Sequence, residues 1–216
     1  MASKDREYRN MELRMVPVEE GEEPSFFVEG YASTYQPYKM GEKDGYELYE
    51  RIDPSAFEVA DLSDVVFRLN HVGRVYARSS AGTVEVWPDE HGLANRTDLS
   101  RTQKAREVYD DIRAGNYPQM SFAFVVAPDG QHREVDNDRG IITRVITKIA
   151  KVFDISPVDF PANPYTELSI SMRDFFDGAI EAIQAERLEA EKREIQKQKI
   201  RILLEVSKHG NQNHDY

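Results

Sequence analysis

The stretch QMSFAF (119–124) holds one hydroxyl, Ser121, between Met120 and Phe122 at the start of a predicted strand. A serine in such a run is either a small filler bonded to backbone or a nucleophile held at the lip of a sheet. A nucleophile needs a base within hydrogen-bond reach and a third group to hold that base. Five histidines could supply the base: His71, His91, His132, His209 and His214. His71 closes the apolar run VVFRLNH and is followed by Val72 and Gly73. It reads either as a partly exposed strand-end residue or as a site residue beside a glycine that permits close backbone approach. His91 lies in the turn PDEHGL and His132 in the polar DGQHRE loop, and both read as solvated. Asp154 and Ser156 sit in FDISPVDFPANP with Asp159. A carboxylate between Phe153 and Ile155 is costly to bury alone, so burial of Asp154 predicts a partner, and a histidine is a good candidate. Otherwise Asp154 caps a turn or faces water.

Other chemistries are poorly supported. The Gly-x-Ser-x-Gly elbow of α/β-hydrolases is missing. DNDRG (136–140) sets Asp136 and Asp138 two apart but lacks the other calcium-loop ligands, so it reads as a solvated turn. His209 and His214 show no ligand pattern. There is no cysteine, which removes disulfides, thiolate metal sites and thiol nucleophiles. No cofactor is expected.

The elements that must position these residues are mostly strands. ELRMVPV and SFFVEGYA alternate around the acidic turn EEGEEP, and VVFRLNH is a short β-prone run. GTVEVW alternates and can pair with GLANRTDLS across PDEH. A helix is predicted over 101–114, capped by Ser100 with Gln103 completing a capping box, striped by Val108, Tyr109 and Ile112, and closed by Gly115. SFAFVVA (121–127) and IITRVITKIAKVFDIS (141–156) follow as β-prone runs, and PANP (161–164) interrupts regular structure. Residues 173–208 hold eight basic and eight acidic side chains on a helical pattern, with Leu188, Ile195 and Ile202 one heptad apart. That stripe is thin and reads as a solvated helix, or as one that packs on a partner or on itself. A strand-rich core of this kind suggests an α+β chain with a closed or strongly curved β-rich body over residues 1–172 and a helical tail over 173–216.

Of 216 residues, 40% are hydrophobic and 31% charged, with a net charge of −11. Residues 1–60 carry seven basic and fourteen acidic side chains. Direct nucleic-acid binding is not expected, because neutralising phosphates needs clustered Lys and Arg. No apolar run is long enough to cross a membrane, and MASKDREYRN has no apolar segment after its charges, so a cytoplasmic chain without a signal peptide is expected.

Three stretches in order, LNHVGR (69–74), GNYPQMSFAF (115–124) and FDISPVDFPANP (153–164), resemble the tailed-phage prohead serine proteases of capsid maturation. PDEHGL (88–93) and FFVEGYAS (26–33) are similar to two further steps of that family. The resemblance covers roughly residues 25–165. It implies His71 as general base, Ser121 as nucleophile and Asp154 as the acid that holds the imidazole, with His91 in reserve for the third place. It also implies an antiparallel β-barrel ringed by helices, since the family is related in fold to the herpesvirus assemblins. Departures are Asp154 where Glu is commoner, Pro157 for Leu and Ala123 for Gly. The implied activity is a serine endopeptidase that cuts scaffold, capsid-protein segments and itself inside the assembling prohead in the host cytoplasm. Implied partners are the phage scaffold and major capsid protein, with self-association a further expectation. The competing expectation is a non-enzymatic capsid or scaffold component built on the same barrel.

Overall fold

The structure, a computed structural model, describes residues 7–15, 25–159 and 170–210, with side chains over 25–159 and 172–205. The acidic turn 19–24, PANP 161–164 and His214 lie outside the described residues, as does the side chain of His209. The chain divides into two compact units, residues 1–173 and 174–216.

Among the described residues, twelve strands belong to the first unit. In chain order they are β1 (Glu7–Met15), β2 (Phe27–Thr34), β3 (Tyr38–Lys43), β4 (Tyr46–Ile52), β5 (Val66–Leu69) and β6 (Val72–Arg78). After them come β7 (Val84–Pro88), β8 (Gly92–Asp98), helix α1 (Gln103–Arg113), β9 (Gln119–Val126), β10 (Gln131–Asp136), β11 (Ile141–Ile146) and β12 (Ile149–Val158). Eight strands run in the order β6-β5-β12-β9-β1-β2-β8-β7, and four in the order β10-β11-β4-β3. The eight-strand array has two halves joined by β1. Residues 7–12 of β1 pair with β9, and residues 13–15 pair with β2.

The expectation of a closed antiparallel barrel ringed by helices is overturned. The outer strands β6 and β7 are not joined to each other, nor are β10 and β3, so the sheets are open. Two of the pairings, β5 with β12 and β4 with β11, are parallel. The open edges are protected by other means. β7 has five residues and ends at Pro88, which cannot donate to a new ladder. β6 follows a tight turn and carries Arg74 and Arg78. Among the described residues, α1 is the one full-length helix between the strands.

α1 buries Ala105, Val108, Tyr109 and Ile112 against a core that includes Phe67, Phe122, Phe124, Val152 and Ile155. Its cap is Thr102, whose hydroxyl accepts the Ala105 N–H at 3.1 Å, and not Ser100. The Ser100 N–H instead donates to Asp98 at 2.8 Å, which finishes β8. Gly115 follows α1 with φ 83°, the left-handed stop that glycine permits. β7 and β8 pair across the predicted turn, with Pro88 opposite Leu93. Helix α2 (Ile170–Gly210) leads into the second unit, where Leu188, Ile195 and Ile202 are exposed. Ion pairs such as Lys192–Glu189 at 2.9 Å support its surface.

Candidate active site

β9 and β12 are adjacent antiparallel strands, with Ser121 opposite Ser156 and Ala123 opposite Asp154. Phe122, Phe124 and Ile155 face the apolar core. Because side chains alternate along a strand, Ser121, Ala123, Asp154 and Ser156 share the opposite face. Ser121 is the third residue of β9 and not the first. It is laddered on both sides, with Asn10 of β1 across from it on one side and Ser156 on the other.

Asp154 reaches that face through an irregularity. Val152 pairs with Phe124, yet Asp154 pairs with Ala123, so Phe153 is an extra residue, a β-bulge. Val152 and Ile155 both enter the core although they are three positions apart, an odd spacing that a regular strand would send to opposite faces. A regular strand would send Asp154 into the core beside Val152. Pro157 stays in the strand opposite Met120. It has no N–H to offer β5, and the β5–β12 ladder stops at Ile155 opposite Phe67.

His71 arrives from a hairpin. Leu69 pairs with Val72, leaving Asn70 and His71 as a two-residue loop. Both have positive φ, 49° and 59°, as a type I′ connection requires. Asn tolerates that region well, whereas His occupies a position where glycine is usual. The loop is tied to the end of β12. The Asn70 N–H donates to the Pro157 carbonyl at 3.0 Å, and Asn70 Oδ1 accepts the Asp159 N–H at 3.2 Å.

The His71 ring then spans the other two groups. Nδ1 lies 2.6 Å from Asp154 Oδ1 and Nε2 lies 2.7 Å from Ser121 Oγ. An ionised carboxylate only accepts, so Nδ1 carries the proton and Nε2 faces the serine hydroxyl as an acceptor. Asp154 is 2% exposed and the His71 side chain 15%, while Ser121 is fully buried. Such an arrangement can move a proton from a hydroxyl to an imidazole held in one tautomer.

The remaining candidates lie elsewhere in their contacts. His91 is exposed and its ring meets Glu90 and Tyr31. Its N–H helps hold Asp89 Oδ1 at 2.8 Å. Burial disfavours the Asp89 charge, but the His91 N–H, the Tyr31 hydroxyl and the Gly92 N–H outweigh it and hold that carboxyl below the usual range. His132 is exposed beside Glu134. Asp136 accepts the N–H groups of Asp138 and Arg139, which makes DNDRG the turn between β10 and β11. Among the described residues no three His, Cys, Asp or Glu side chains gather as a metal group would require. Two roles escaped the sequence reading: that of Asn70 as the tether of the hairpin, and that of Ser156, named beside Asp154 without a partner, whose Oγ lies 2.8 Å from Asp154 Oδ1. An Asn between two β-prone runs is a hairpin signal, and an i, i+2 pair on a strand shares a face, so both were open to inspection.

The family model of the caudovirus prohead serine proteases matches residues 11–179, a span that holds Ser121, His71 and Asp154. The chain belongs to that family. Neither the curated proteins nor the solved structures yielded a match. As a prohead protease it is a serine peptidase of phage capsid maturation, and its family acts in the prohead of an infected cell. No helix among the described residues is long and apolar enough to cross a membrane.

Proposed function

We propose that this prohead protease is an endopeptidase that cuts scaffold and capsid-protein segments, and itself, by acyl transfer through Ser121, His71 and Asp154. The observation that supports the assignment most is the continuous hydrogen-bonded chain from Asp154 Oδ1 through both ring nitrogens of His71 to Ser121 Oγ.

In this reading Ser121 Oγ bonds to the peptide carbonyl carbon while its proton passes to His71 Nε2. The imidazolium, held by Asp154, returns that proton to the leaving amine as the C–N bond breaks. Water then repeats the sequence on the acyl-enzyme and releases the acid and free Ser121. β9 is laddered on both sides at Ser121, which commits its own N–H groups. The oxyanion donors are therefore sought in the segment after His71, where β6 is, among the described residues, an outer strand with one side unpaired. Ser121 is fully buried, so a substrate must displace whatever covers its hydroxyl.

The deciding experiment pairs a fluorophosphonate probe with intact mass of the purified chain over time, beside Ser121→Ala. Probe mass on Ser121 and shortening of the wild type alone are expected. If the chain neither labels nor shortens with scaffold present, the non-enzymatic reading takes its place. The exposed residues Leu188, Ile195 and Ile202 of α2 are proposed to dock on scaffold, on capsid protein or on a second copy. Changing the three to Glu should leave labelling intact and lower packaging into proheads; unchanged packaging would remove that role.

A further inference from the structure

Asp154 and Ser156 stand two residues apart on β12 and so lie on one face of it. Ser156 Oγ is 2.8 Å from Asp154 Oδ1, the same oxygen that His71 Nδ1 reaches at 2.6 Å. Ser156 is fully buried. Among the described residues, His71 and Ser156 are the two groups hydrogen-bonded to this carboxylate. The ionised carboxylate can only accept, so the Ser156 hydroxyl donates to it.

We propose that Ser156 is a positioning residue of the proteolytic site, one that acts through Asp154 and never touches substrate. The inference rests on the reading of Ser121, His71 and Asp154 as the reacting chain. An aspartate side chain has two free torsions, and His71 sits on a two-residue turn outside the ladder of β12. A single bond from His71 would leave the carboxylate free to swing with the ring. A second donor on the strand itself fixes Oδ1 independently of the hairpin. Ser156 is in turn anchored by the ladder, where it stands opposite Ser121. One strand pairing thus sets the spacing between the nucleophile and the group that holds the acid. The second donor also divides the charge on Oδ1 between hydroxyl and imidazole, which tunes how strongly Asp154 holds an imidazolium.

The test uses the full chain and a fluorophosphonate probe whose labelling of Ser121 is followed by mass. Ser156→Ala is expected to slow labelling roughly tenfold, the order expected for losing a hydrogen bond to a charged group. The loss should fall on the maximal labelling rate and not on the probe concentration at half-maximum. In an Asp154→Asn background the same change should cost less than twofold, because its target has already lost its charge. The low-field proton resonance of His71 Nδ1 should move further downfield in Ser156→Ala, since Oδ1 then serves one donor. Ser156→Cys keeps nearly the same volume with a weak donor and substitutes if the alanine variant does not fold. Labelling within twofold of the parent, equal slowing in both backgrounds, or an unmoved His71 resonance would overturn the proposal. Failure of the underlying reading looks different: the parent does not label at Ser121, while the His71 resonance still responds to Ser156→Ala.

Discussion

Asp154 stands opposite Ala123 although Val152, two residues before it, stands opposite Phe124, the immediate neighbour of Ala123. The bulge at Phe153 turns the carboxylate away from the apolar core and onto the face that holds Ser121. Deleting Phe153 removes the extra residue and leaves Asp154 opposite Ala123 in a regular ladder, still on the face of Ser121. The expected outcome is a folded variant whose Ser121 is still labelled by the probe; loss of labelling in a folded variant would show that the bulge itself, and not the register of Asp154, is what the site needs. Chemical denaturation and labelling on one preparation check it.

Asn70 and His71 both occupy left-handed backbone, and Asn70 joins the hairpin to the end of β12 by both backbone and side chain. Asn70→Ala places a Cβ residue with no local hydrogen bond in that region. It should cost about 1–2 kcal/mol and slow labelling through displacement of His71. Asn70→Gly should recover most of the stability, because glycine adopts positive φ freely, while labelling stays reduced without the Asp159 contact. Equal stability of the alanine and glycine variants would refute the turn argument.

Asp154→Asn keeps the size of the side chain and removes its charge. The amide can donate to His71 Nδ1 and select the wrong tautomer, and labelling should fall on the order of 10⁴-fold. His91→Ala should leave labelling within twofold, because the ring of His91 is 65% exposed and meets Glu90 and Tyr31.

Arg144 and Glu50 form a buried pair at 2.9 Å in the four-strand sheet, with Tyr38 and Gln131 as further partners. Arg144→Met strands Glu50 and should cost about 3–5 kcal/mol, whereas Arg144→Met with Glu50→Leu should recover much of that loss. Thermal melts of the single and double variants measure the difference. A double variant no more stable than the single would show that the cost lies in packing.

Acid should unfold the first unit through a small set of carboxylates. Asp53 is held low by the Ser55 hydroxyl and N–H. At Asp98, burial opposes the charge, but Ser100 and Arg101 prevail and lower the pKa. Asp89 behaves likewise. A carboxyl whose folded pKa lies below its unfolded value of about 3.9 contributes stability above that pH and loses it as pH falls through the folded value. Melting temperature should therefore drop below about pH 4, and Asp98→Asn should flatten that drop.

Much of this site could be read from residue types, but the geometry that joins it could not. The words around His71, Ser121 and Asp154 resembled one family, and the family match spans all three. The strands holding them were legible because Val66, Phe67, Phe122 and Phe124 are β-prone and bounded by turn residues. β10 was hidden because Gln131–Asp136 is polar on both faces, the composition of a turn as much as of an outer strand. β3 and β4 were missed for a similar reason, since Glu50 is a charged residue at a fully buried position. Closure into a barrel depends on whether β6 and β7 meet, a long-range matter that no local pattern records. The bulge at Phe153 was equally invisible, because it exists only relative to the register of β9.

β9 lies between β1 and β12, the first and the last strands among the described residues. A nascent chain therefore holds Ser121 in an incomplete sheet until residues near 160 have left the ribosome, and the hairpin of His71 has no Pro157 carbonyl to grip before then. On the assignment proposed for Ser121, His71 and Asp154, a chain interrupted before β12 lacks the carboxylate and the strand that flanks Ser121, and so lacks the means to cut.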